Sequence, residues 1–319
     1  MKQLRIIMGI LLLLCLIISS GCSFTQQEKV SDTDRYEVTD SQGVALTLPH
    51  KPKRIVSLSI ATDEMLMELV SVERIAALTY LADDSSISNI KEEAKLVQNK
   101  IRANAETVIA LQPDLVLIAD WHPVELVQVM REAGLPVYVF KSARSIEQVK
   151  QNIADIARIV GEPEKGADLI TRMDSSLAKI SAKVKSIPEK DRQITARFSN
   201  MGGSGGIGST FDDICKYAGV KNAAAIAGLD INGTLTKEQL VQINPDFLLL
   251  PTWDYTGKKD TYQYKEEVQR DPALQTVKAV LKSRLLQVPD RYLFCTSQNI
   301  VKGVFGVAQG AYPELFSQE

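Results

Sequence analysis

An internal repeat constrains this sequence more than any other feature does. Residues 104–121 read NAETVIALQPDLVLIADW, and residues 236–253, after a shift of 132 positions, read TKEQLVQINPDFLLLPTW. Each copy contains an amphipathic helical run, a Pro-Asp turn, four or five apolar residues and a loop that begins with Trp. The matched residues are Glu106 and Glu238, Pro113 and Pro245, Asp114 and Asp246, Leu117 and Leu249, and Trp121 and Trp253.

Each copy predicts one helix–strand unit of an α/β sheet. A short apolar run behind a turn is typical of a strand that is buried on both faces, as in a parallel sheet. A helix before such a strand is half of an α/β unit. The spacing is too long for a solenoid, whose repeats take about 20–50 residues. The sequence therefore predicts an α/β fold of two similar lobes with mainly parallel sheets.

Patterns around the two copies supply the other elements of the lobes. Strands are predicted at 44–48, 54–59, 75–80, 137–140, 193–198 and 284–288. Helices are predicted at 62–71, 123–133, 145–160, 210–218, 272–282 and 298–311. A chain of 319 residues also favours two domains. We place an N-terminal lobe at 35–160 and a C-terminal lobe at 189–319.

One long helix, within 161–188, is predicted to join the lobes. Its apolar face is spaced at helical intervals, and Pro163 and Pro188 mark its start and its end. At about 1.5 Å per residue such a helix spans roughly 35 Å. The face consists of Ile170, Met173, Leu177, Ile180 and Val184.

The N-terminus predicts an exported, lipid-anchored protein. Lys2 and Arg5 precede the apolar run 6–18, which is short for a membrane span and typical of a signal peptide at 1–21. Gly21-Cys22 resembles a bacterial lipobox, with Cys22 as the lipidated residue, although Ser19 stands where Leu is usual. A plain signal peptidase site is the alternative. The polar stretch 22–34 is predicted to be a flexible tether to the extracytoplasmic face of the membrane.

Charge and cysteine usage exclude some functions. Without residues 1–21 the chain has 35 basic and 39 acidic residues, a formal charge of −4, so we expect no nucleic-acid partner. Cys215 and Cys295 belong to no CxxC pair, which argues against structural zinc. They are either buried free thiols or a disulfide of an oxidising compartment.

The repeat resembles a known family. The pattern E-x-V-x-x-L-x-P-D-L before a strand, with RIVSLSIATDEMLMEL at 54–69 and STFDDICKYAGVKNAA at 209–224, is similar to the substrate-binding proteins of ABC importers for iron chelates, haem and cobalamin. The resemblance covers roughly residues 36–316. It implies a rigid inter-lobe helix with a modest closing motion. It also implies that Glu106 and Glu238 dock the lobes onto arginines of the permease, whereas a helix cap is the alternative role.

Candidate ligand-binding residues follow the predicted strands, because open α/β sheets bind ligands beyond the carboxyl ends of their strands. Aromatic walls there suit a large conjugated or macrocyclic ligand; the alternative is that some of these aromatic residues cap the cores. Arg197 is a candidate partner for an anionic ligand group, and Phe294 a further wall residue. The predicted set is Tyr80, Trp121, His122, Arg197, Phe198, Asn200, Met201, Trp253, Tyr255 and Tyr292.

The Gly-rich run 202–208 matches two enzyme motifs. It fits the dinucleotide fingerprint G-x-G-x-x-G, but the next strand begins only at 247 and no acid follows at the required place. It also fits the nucleophile elbow G-x-S-x-G, but His50 and His122 both precede Ser204. We favour a loop that approaches a ligand closely with its N–H groups.

The sequence therefore predicts a binding protein and not an enzyme. We expect a monomer that captures an iron(III) chelate, haem or a corrinoid and delivers it to an ABC permease and its ATPase, with no catalytic cofactor and no bare metal site. His122 and Met201 are a further hypothesis, an axial pair for haem iron. The rival classes are a nucleotide- or ester-processing enzyme that uses 202–208, and a surface partner-binding protein on the same fold.

Overall fold

The computed structural model describes residues 36–254 and 260–317. The predicted signal peptide, tether, Cys22 and Tyr255 lie outside these described residues. The strands are β1 (Tyr36–Thr39), β2 (Ala45–Leu48), β3 (Ile55–Ser57), β4 (Ile75–Thr79), β5 (Lys100–Ile101), β6 (Leu115–Ala119), β7 (Val137–Phe140), β8 (Ile194–Ser199), β9 (Gly202–Ser204), β10 (Lys221–Asn222), β11 (Phe247–Leu249) and β12 (Leu285–Leu286).

The α-helices alternate with the strands along most of the chain. They are α1 (Ile60–Leu69), α2 (Lys91–Ala94), α3 (Ala105–Ala110), α4 (Val124–Glu132), α5 (Ile146–Ile159), α6 (Pro163–Val184), α7 (Thr210–Tyr217), α8 (Ala223–Ile226), α9 (Lys237–Ile243), α10 (Thr261–Arg270), α11 (Lys278–Leu281), α12 (Asp290–Leu293), α13 (Ile300–Ala311) and α14 (Pro313–Phe316). Short 3₁₀ turns lie at Val72–Arg74, Tyr80–Asp83, Glu189–Asp191 and Pro272–Leu274.

Two mainly parallel sheets form the framework. The first has the order β5-β4-β3-β6-β7 and is parallel throughout. The second has the parallel order β10-β8-β11-β12, with β9 antiparallel to β8. The interior strand β6 is buried at all five positions, as expected of a strand covered by helices on both faces. The α/β fold class predicted from the repeat is confirmed.

The repeated Asp explains why the two copies fold alike. Asp114 Oδ1 accepts a hydrogen bond from the N–H of Arg54 at 2.7 Å, and Asp246 Oδ2 accepts one from the N–H of Ile194 at 2.8 Å. In return each Asp N–H donates to the carbonyl of the same residue. The repeated carboxylate therefore fastens β6 to the chain entering β3, and β11 to β8.

The residue before each Pro-Asp pair also has the same backbone conformation in both copies. Gln112 has a φ of 47° and Asn244 a φ of 55°, the left-handed region that ends a helix sharply. Asn244 suits that region better than Gln112 does, because its short side chain tolerates it. Both helices therefore end at the turn that leads into a buried strand.

Helix α6 runs for 22 residues with Pro163 in its first turn and packs against α1, α5, α7 and α13. Its buried face includes Met173 and Leu177, as predicted, and the helix ends at Val184, before the predicted limit. Its packing on α5 is close at Gly166, where an added Cβ would lie 2.4 Å from Ala157 Cβ. Only a glycine permits that approach of the two helices.

A continuous apolar core runs between the sheets. One cluster of buried side chains includes Leu117 of β6, Met173 of α6, Val304 of α13 and Phe247 of β11. The described residues from Tyr36 onward accordingly form one compact unit. The lobe boundaries at 160 and 189 stay predictions.

Two predicted elements of the C-terminal part differ from the structure, and one observed helix was not predicted. The region 272–282 contains the turn Pro272–Leu274 and the short helix α11 instead of one helix. The predicted strand 284–288 pairs only over Leu285–Leu286. Helix α10 was not predicted, because TYQYKEEVQR is polar and Val268 is the residue that it buries, so apolar periodicity gives no signal.

Candidate functional site

A cavity of about 450 Å³ opens at the carboxyl ends of β8 and β11. Five of the predicted ligand-binding residues line it: Arg197, Phe198, Asn200, Met201 and Trp253. Phe294, the further wall residue suggested by the sequence, also lines it. Its position agrees with the general rule that ligands bind beyond strand ends in open α/β sheets.

Arg197 is held in the cavity wall by aromatic rings and a hydroxyl. Its Cζ lies 4.2 Å from the ring centroid of Phe294 and 5.3 Å from that of Phe211. Its Nε and Nη2 donate to Ser204 Oγ at 3.2 and 2.9 Å. Burial lowers the pKa of Arg197 to about 10, which the charge of Asp290 opposes, so the guanidinium stays charged at neutral pH.

Asp290 fixes the loop that carries Trp253. Its Oδ2 accepts from the N–H groups of Thr252 and Trp253 at 2.7 and 2.8 Å, and its own N–H donates to Thr252 Oγ1 at 2.7 Å. Asp290 is 1% exposed, and burial raises the pKa of its carboxyl, which these hydrogen bonds and the charge of Arg197 oppose. A buried carboxylate that orders a loop by its N–H groups is a positioning residue for the cavity wall.

Helix α10 closes one side of the cavity with residues that the sequence did not indicate. Asp260, Thr261 and Tyr264 line the wall, and Asp260 Oδ1 caps the helix by accepting from the N–H of Tyr262 at 2.8 Å. Burial raises the pKa of the Tyr264 phenol, so it remains protonated and can donate a hydrogen bond. Asp260-Thr261 before the polar run was the one available signal, a helix N-cap.

The two repeated Trp residues differ in environment. Trp253 is half-buried in the cavity wall, whereas Trp121 is 67% exposed and does not line the cavity. Trp121 stacks on His122, with ring centroids 3.8 Å apart at 20°. Their meeting across a cleft stays a prediction.

His122 is buried beneath Trp121. Its Nδ1–H donates to the carbonyl of Ala119 at 3.2 Å, and burial lowers its pKa, so the ring is neutral at pH 7. Met201 is 66% exposed at the cavity, which His122 does not line. The haem axial pair stays a prediction.

Tyr80 and Tyr292 lie outside the cavity wall. Tyr80 is 42% exposed and packs beneath Arg102, whose Cζ is 3.7 Å from the ring centroid. Tyr292 is half-buried against the main core, with Arg291 Cζ 5.2 Å from its ring centroid. Their part in ligand binding stays a prediction.

The Gly-rich run 202–208 packs against residues 229–235 of the same chain. Gly203 N–H donates to the carbonyl of Leu235 at 2.9 Å, and Ile207 N–H donates to that of Leu229 at 2.8 Å. A Cβ on Gly206 would lie 2.3 Å from the carbonyl oxygens of Leu229 and Asp230. The close approach is therefore to protein backbone, and the expectation that these two N–H groups face a ligand is wrong.

Ser204 lacks the surroundings of a nucleophile. Its hydroxyl accepts from Arg197, while Nδ1 of His50 lies against the carbonyl of Lys51 and Nδ1 of His122 against that of Ala119. A serine nucleophile needs a base at hydrogen-bond distance. The geometry of the described residues disfavours the esterase alternative.

The described residues bear on three further questions from the sequence: the cysteines, possible metal sites and possible membrane spans. Cys215 and Cys295 are buried free thiols, and burial raises the pKa of both well above the ordinary value. Within 36–254 and 260–317, no group of three or more His, Cys, Asp and Glu could hold a metal ion. Over the same ranges no helix combines the length and apolar character that crossing a bilayer requires.

Glu106 and Glu238 occupy the same position in the first turns of α3 and α9. Both are exposed, and within the described ranges neither forms an ion pair with a Lys or Arg side chain. The caps are made by other residues: Asn104 caps α3, and Thr236 with Gln239 forms a capping box at α9. Glu238's own N–H and the Thr236 side chain lower the pKa of Glu238.

Known proteins share this sequence pattern and fold. A family model described as "Periplasmic binding protein" matches residues 55–292. The uncharacterized ABC transporter substrate-binding lipoprotein YvrC of Bacillus subtilis is 26% identical over 96% of this chain and 97% of its own length. A cobalamin-binding protein of Halobacterium salinarum is 27% identical over 69% of this chain and 60% of its own length. The molybdate-binding protein MolA of Haemophilus influenzae has the same fold, with a TM-score of 0.73, 17% identity, and coverage of 88% of this chain and 93% of that one.

Proposed function

The chain belongs to the periplasmic binding protein family, and from that membership we propose that it is the substrate-binding protein of an ABC importer. It captures an iron(III) chelate, haem or a corrinoid and delivers it to a permease that works with an ATPase. It is exported as a monomer and anchored through lipidated Cys22 to the extracytoplasmic face of a bacterial membrane. The lipoprotein name of the Bacillus subtilis relative supports the anchor.

The cavity at the ends of β8 and β11 is the observation that carries this proposal. Its volume of about 450 Å³ lies in the range of ligand sites, roughly 300–1,000 Å³. Trp253, Tyr264 and Phe294 provide flat apolar walls, and Arg197 provides a fixed hydrogen-bond donor. We expect a macrocycle seated there to extend past the mouth and to reach Trp121 and Tyr80, which are exposed.

Ligand titration of the protein from Ser23 onward tests the proposal. The panel holds haem, cyanocobalamin, hydroxamate and catecholate iron(III) complexes, and molybdate, with Trp fluorescence corrected for ligand absorbance. We expect one macrocycle or chelate to bind saturably at micromolar or tighter affinity. Trp253→Phe should change the quenching far more than Trp121→Phe does. Absence of saturable binding across the panel would contradict the proposed function.

The same titration tests the axial pair. If haem binds with a low-spin absorbance spectrum, that spectrum should be lost in His122→Ala. The neutral imidazole has an unshared electron pair on Nε2 with which it can bind the haem iron, and the variant removes it. A low-spin spectrum unchanged in His122→Ala would contradict the assignment of His122.

A further inference from the structure

Two side chains of the cavity wall, Asp290 and Arg197, each have one polar atom that forms no hydrogen bond among the described residues. Asp290 Oδ2 takes all the hydrogen bonds that this side chain accepts, and Oδ1 takes none among the described residues. Oδ1 is not fully enclosed, so it reaches the cavity surface although Asp290 is only 1% exposed. Asp290 thus presents one free acceptor to a ligand.

Arg197 presents the matching donor. Its Nε and Nη2 bond to Ser204, and its Nη1 has no hydrogen-bond partner within the described ranges and is not enclosed. The rings of Phe294 and Phe211 lie against the guanidinium and limit its movement. A fixed plane directs the N–H groups, so the donor has a defined direction.

The two groups are coupled but do not touch. Each charge stabilises the ionised form of the other group. The charge of Asp290 raises the pKa of Arg197, and the charge of Arg197 lowers the pKa of Asp290. Among the ion pairs of the described residues, however, none joins Arg197 to Asp290. An acceptor and a donor that share one wall without pairing suit a ligand group that bridges them.

We propose that Arg197 and Asp290 bind a primary carboxamide at the edge of the ligand, which makes a carboxamide-bearing corrinoid the cargo. A carboxamide donates through its NH₂ and accepts through its oxygen, so it satisfies both residues at once. A carboxylate only accepts, so a propionate of haem or a catecholate oxygen leaves Asp290 facing a like charge. This assignment rests on the proposed function and narrows its ligand class.

Cyanocobalamin and its separated monocarboxylic acids, each with one amide hydrolysed, are the decisive probes. We expect cyanocobalamin to bind more tightly than haem, and one monoacid to bind about tenfold or more weakly than cyanocobalamin, because a buried charge-assisted hydrogen bond becomes a repulsion. Asp290→Asn should weaken the binding of cyanocobalamin by about tenfold or more. In this variant that monoacid should no longer bind more weakly than cyanocobalamin. The variant keeps an oxygen for the N–H groups of Thr252 and Trp253, so the loop remains folded.

Asp260→Asn is the matched control. It removes the same charge from the same cavity, and Asn caps a helix as well as Asp does. If the two variants changed the affinities for cyanocobalamin and for the monoacids equally, the carboxamide assignment would be overturned. Tight binding of haem or a catecholate complex without cyanocobalamin binding would also overturn it and would leave the importer function standing. Failure of every probe to bind would instead contradict the proposed function itself.

Discussion

At the scale of single residues, Asp63 is a buried acid that holds the end of β4. It is 0% exposed, and its carboxylate accepts from the N–H of Thr79 at 3.1 Å and from the Thr79 hydroxyl at 2.5 Å. Burial raises the pKa of Asp63 from 3.8 to about 7, against the hydrogen bonds of Ser57 and Thr79. The folded protein therefore holds a proton at pH 5 that the unfolded chain has lost.

Asp63 makes the protein less stable as pH rises. Between about pH 4 and pH 7 the folded state binds more protons at this site than the unfolded state, so its free energy of unfolding falls as pH increases. We expect the difference in unfolding free energy between wild type and Asp63→Asn to decrease by a few kcal/mol, to order of magnitude, across that window. Urea denaturation at pH 4.5, 6 and 7.5 measures it. The exposed Asp168→Asn is the control, and parallel curves for wild type and Asp63→Asn would contradict the assignment.

Sequence reasoning found some site residues and missed others for a physical reason. Met201 and Trp253 follow apolar strands, and strand ends can be located from hydrophobicity alone. Asp290 could not be found in that way, because its role depends on Thr252 and Trp253, which lie 38 and 37 positions away in the chain. An isolated acid in a sequence carries no sign of which N–H groups it will meet.

At the scale of elements, a buried carboxylate joins helix α1 to the segment before α13. Glu64 is 2% exposed and accepts from the N–H and the side chain of Asn89, both at 2.9 Å, and from Asn299 Nδ2 at 3.0 Å. The Ser297 hydroxyl donates to it as well, and Gln298 Nε2 donates to the Glu64 carbonyl. This cluster, which we call the Glu64 clamp, connects the N-terminal part of the chain to residues more than 230 positions later.

The Glu64 clamp should contribute strongly to stability. Glu64→Gln replaces one acceptor oxygen by NH₂. The new NH₂ then faces either the two donors of Asn89, which bond to Oε1, or those of Ser297 and Asn299, which bond to Oε2. We expect a loss of about 2–4 kcal/mol, because buried charge-assisted hydrogen bonds lose their acceptor. Urea denaturation measures it. Labelling of the Cys295 thiol, which lies 3.5 Å from Glu64 Oε2, should also accelerate relative to Cys215.

Glu68→Gln is the control on the same helix. Its carboxylate is 48% exposed and pairs with Arg172 at the surface, so we expect a change of about 1 kcal/mol or less. Similar small changes in both variants, with no faster labelling of Cys295, would show that the Glu64 clamp does not fasten these elements.

Element prediction from the sequence succeeded where hydrophobic period and turn chemistry agree. Strand β7 was predicted with its observed bounds, because VYVF is apolar and buried at every position. Helix α10 could not be predicted, because its sequence is polar and gives no apolar periodicity. The side of the cavity that it forms was therefore missed as well. The strand β12 was predicted too long, because Val288 packs in the core without pairing to a neighbouring strand.

At the scale of the whole molecule, the two exposed carboxylates Glu106 and Glu238 are proposed to dock the permease. In Glu106→Ala combined with Glu238→Ala we expect uptake of the cargo to fall at least tenfold, because two charge-assisted contacts with arginines are lost. Ligand affinity should not change, because neither residue lines the cavity. Uptake by cells that express the permease, with ligand titration of the purified variant, measures both.

Glu125→Ala is a suitable control, since Glu125 is another exposed carboxylate in the first turn of a helix. Loss of ligand affinity in the double variant, or equal loss of uptake in the control, would contradict the docking assignment.

The shared core and the Glu64 clamp have a consequence for how the empty and the loaded protein compete for the permease. We expect them to oppose any large approach of the two sheets, so that the empty and the loaded protein present Glu106 and Glu238 at nearly the same separation. If these two residues dock the permease, the two forms should occupy it with similar affinity, and the empty form should act as a competitive inhibitor of delivery. Uptake would therefore pass through a maximum as the amount of binding protein rises beyond the supply of cargo.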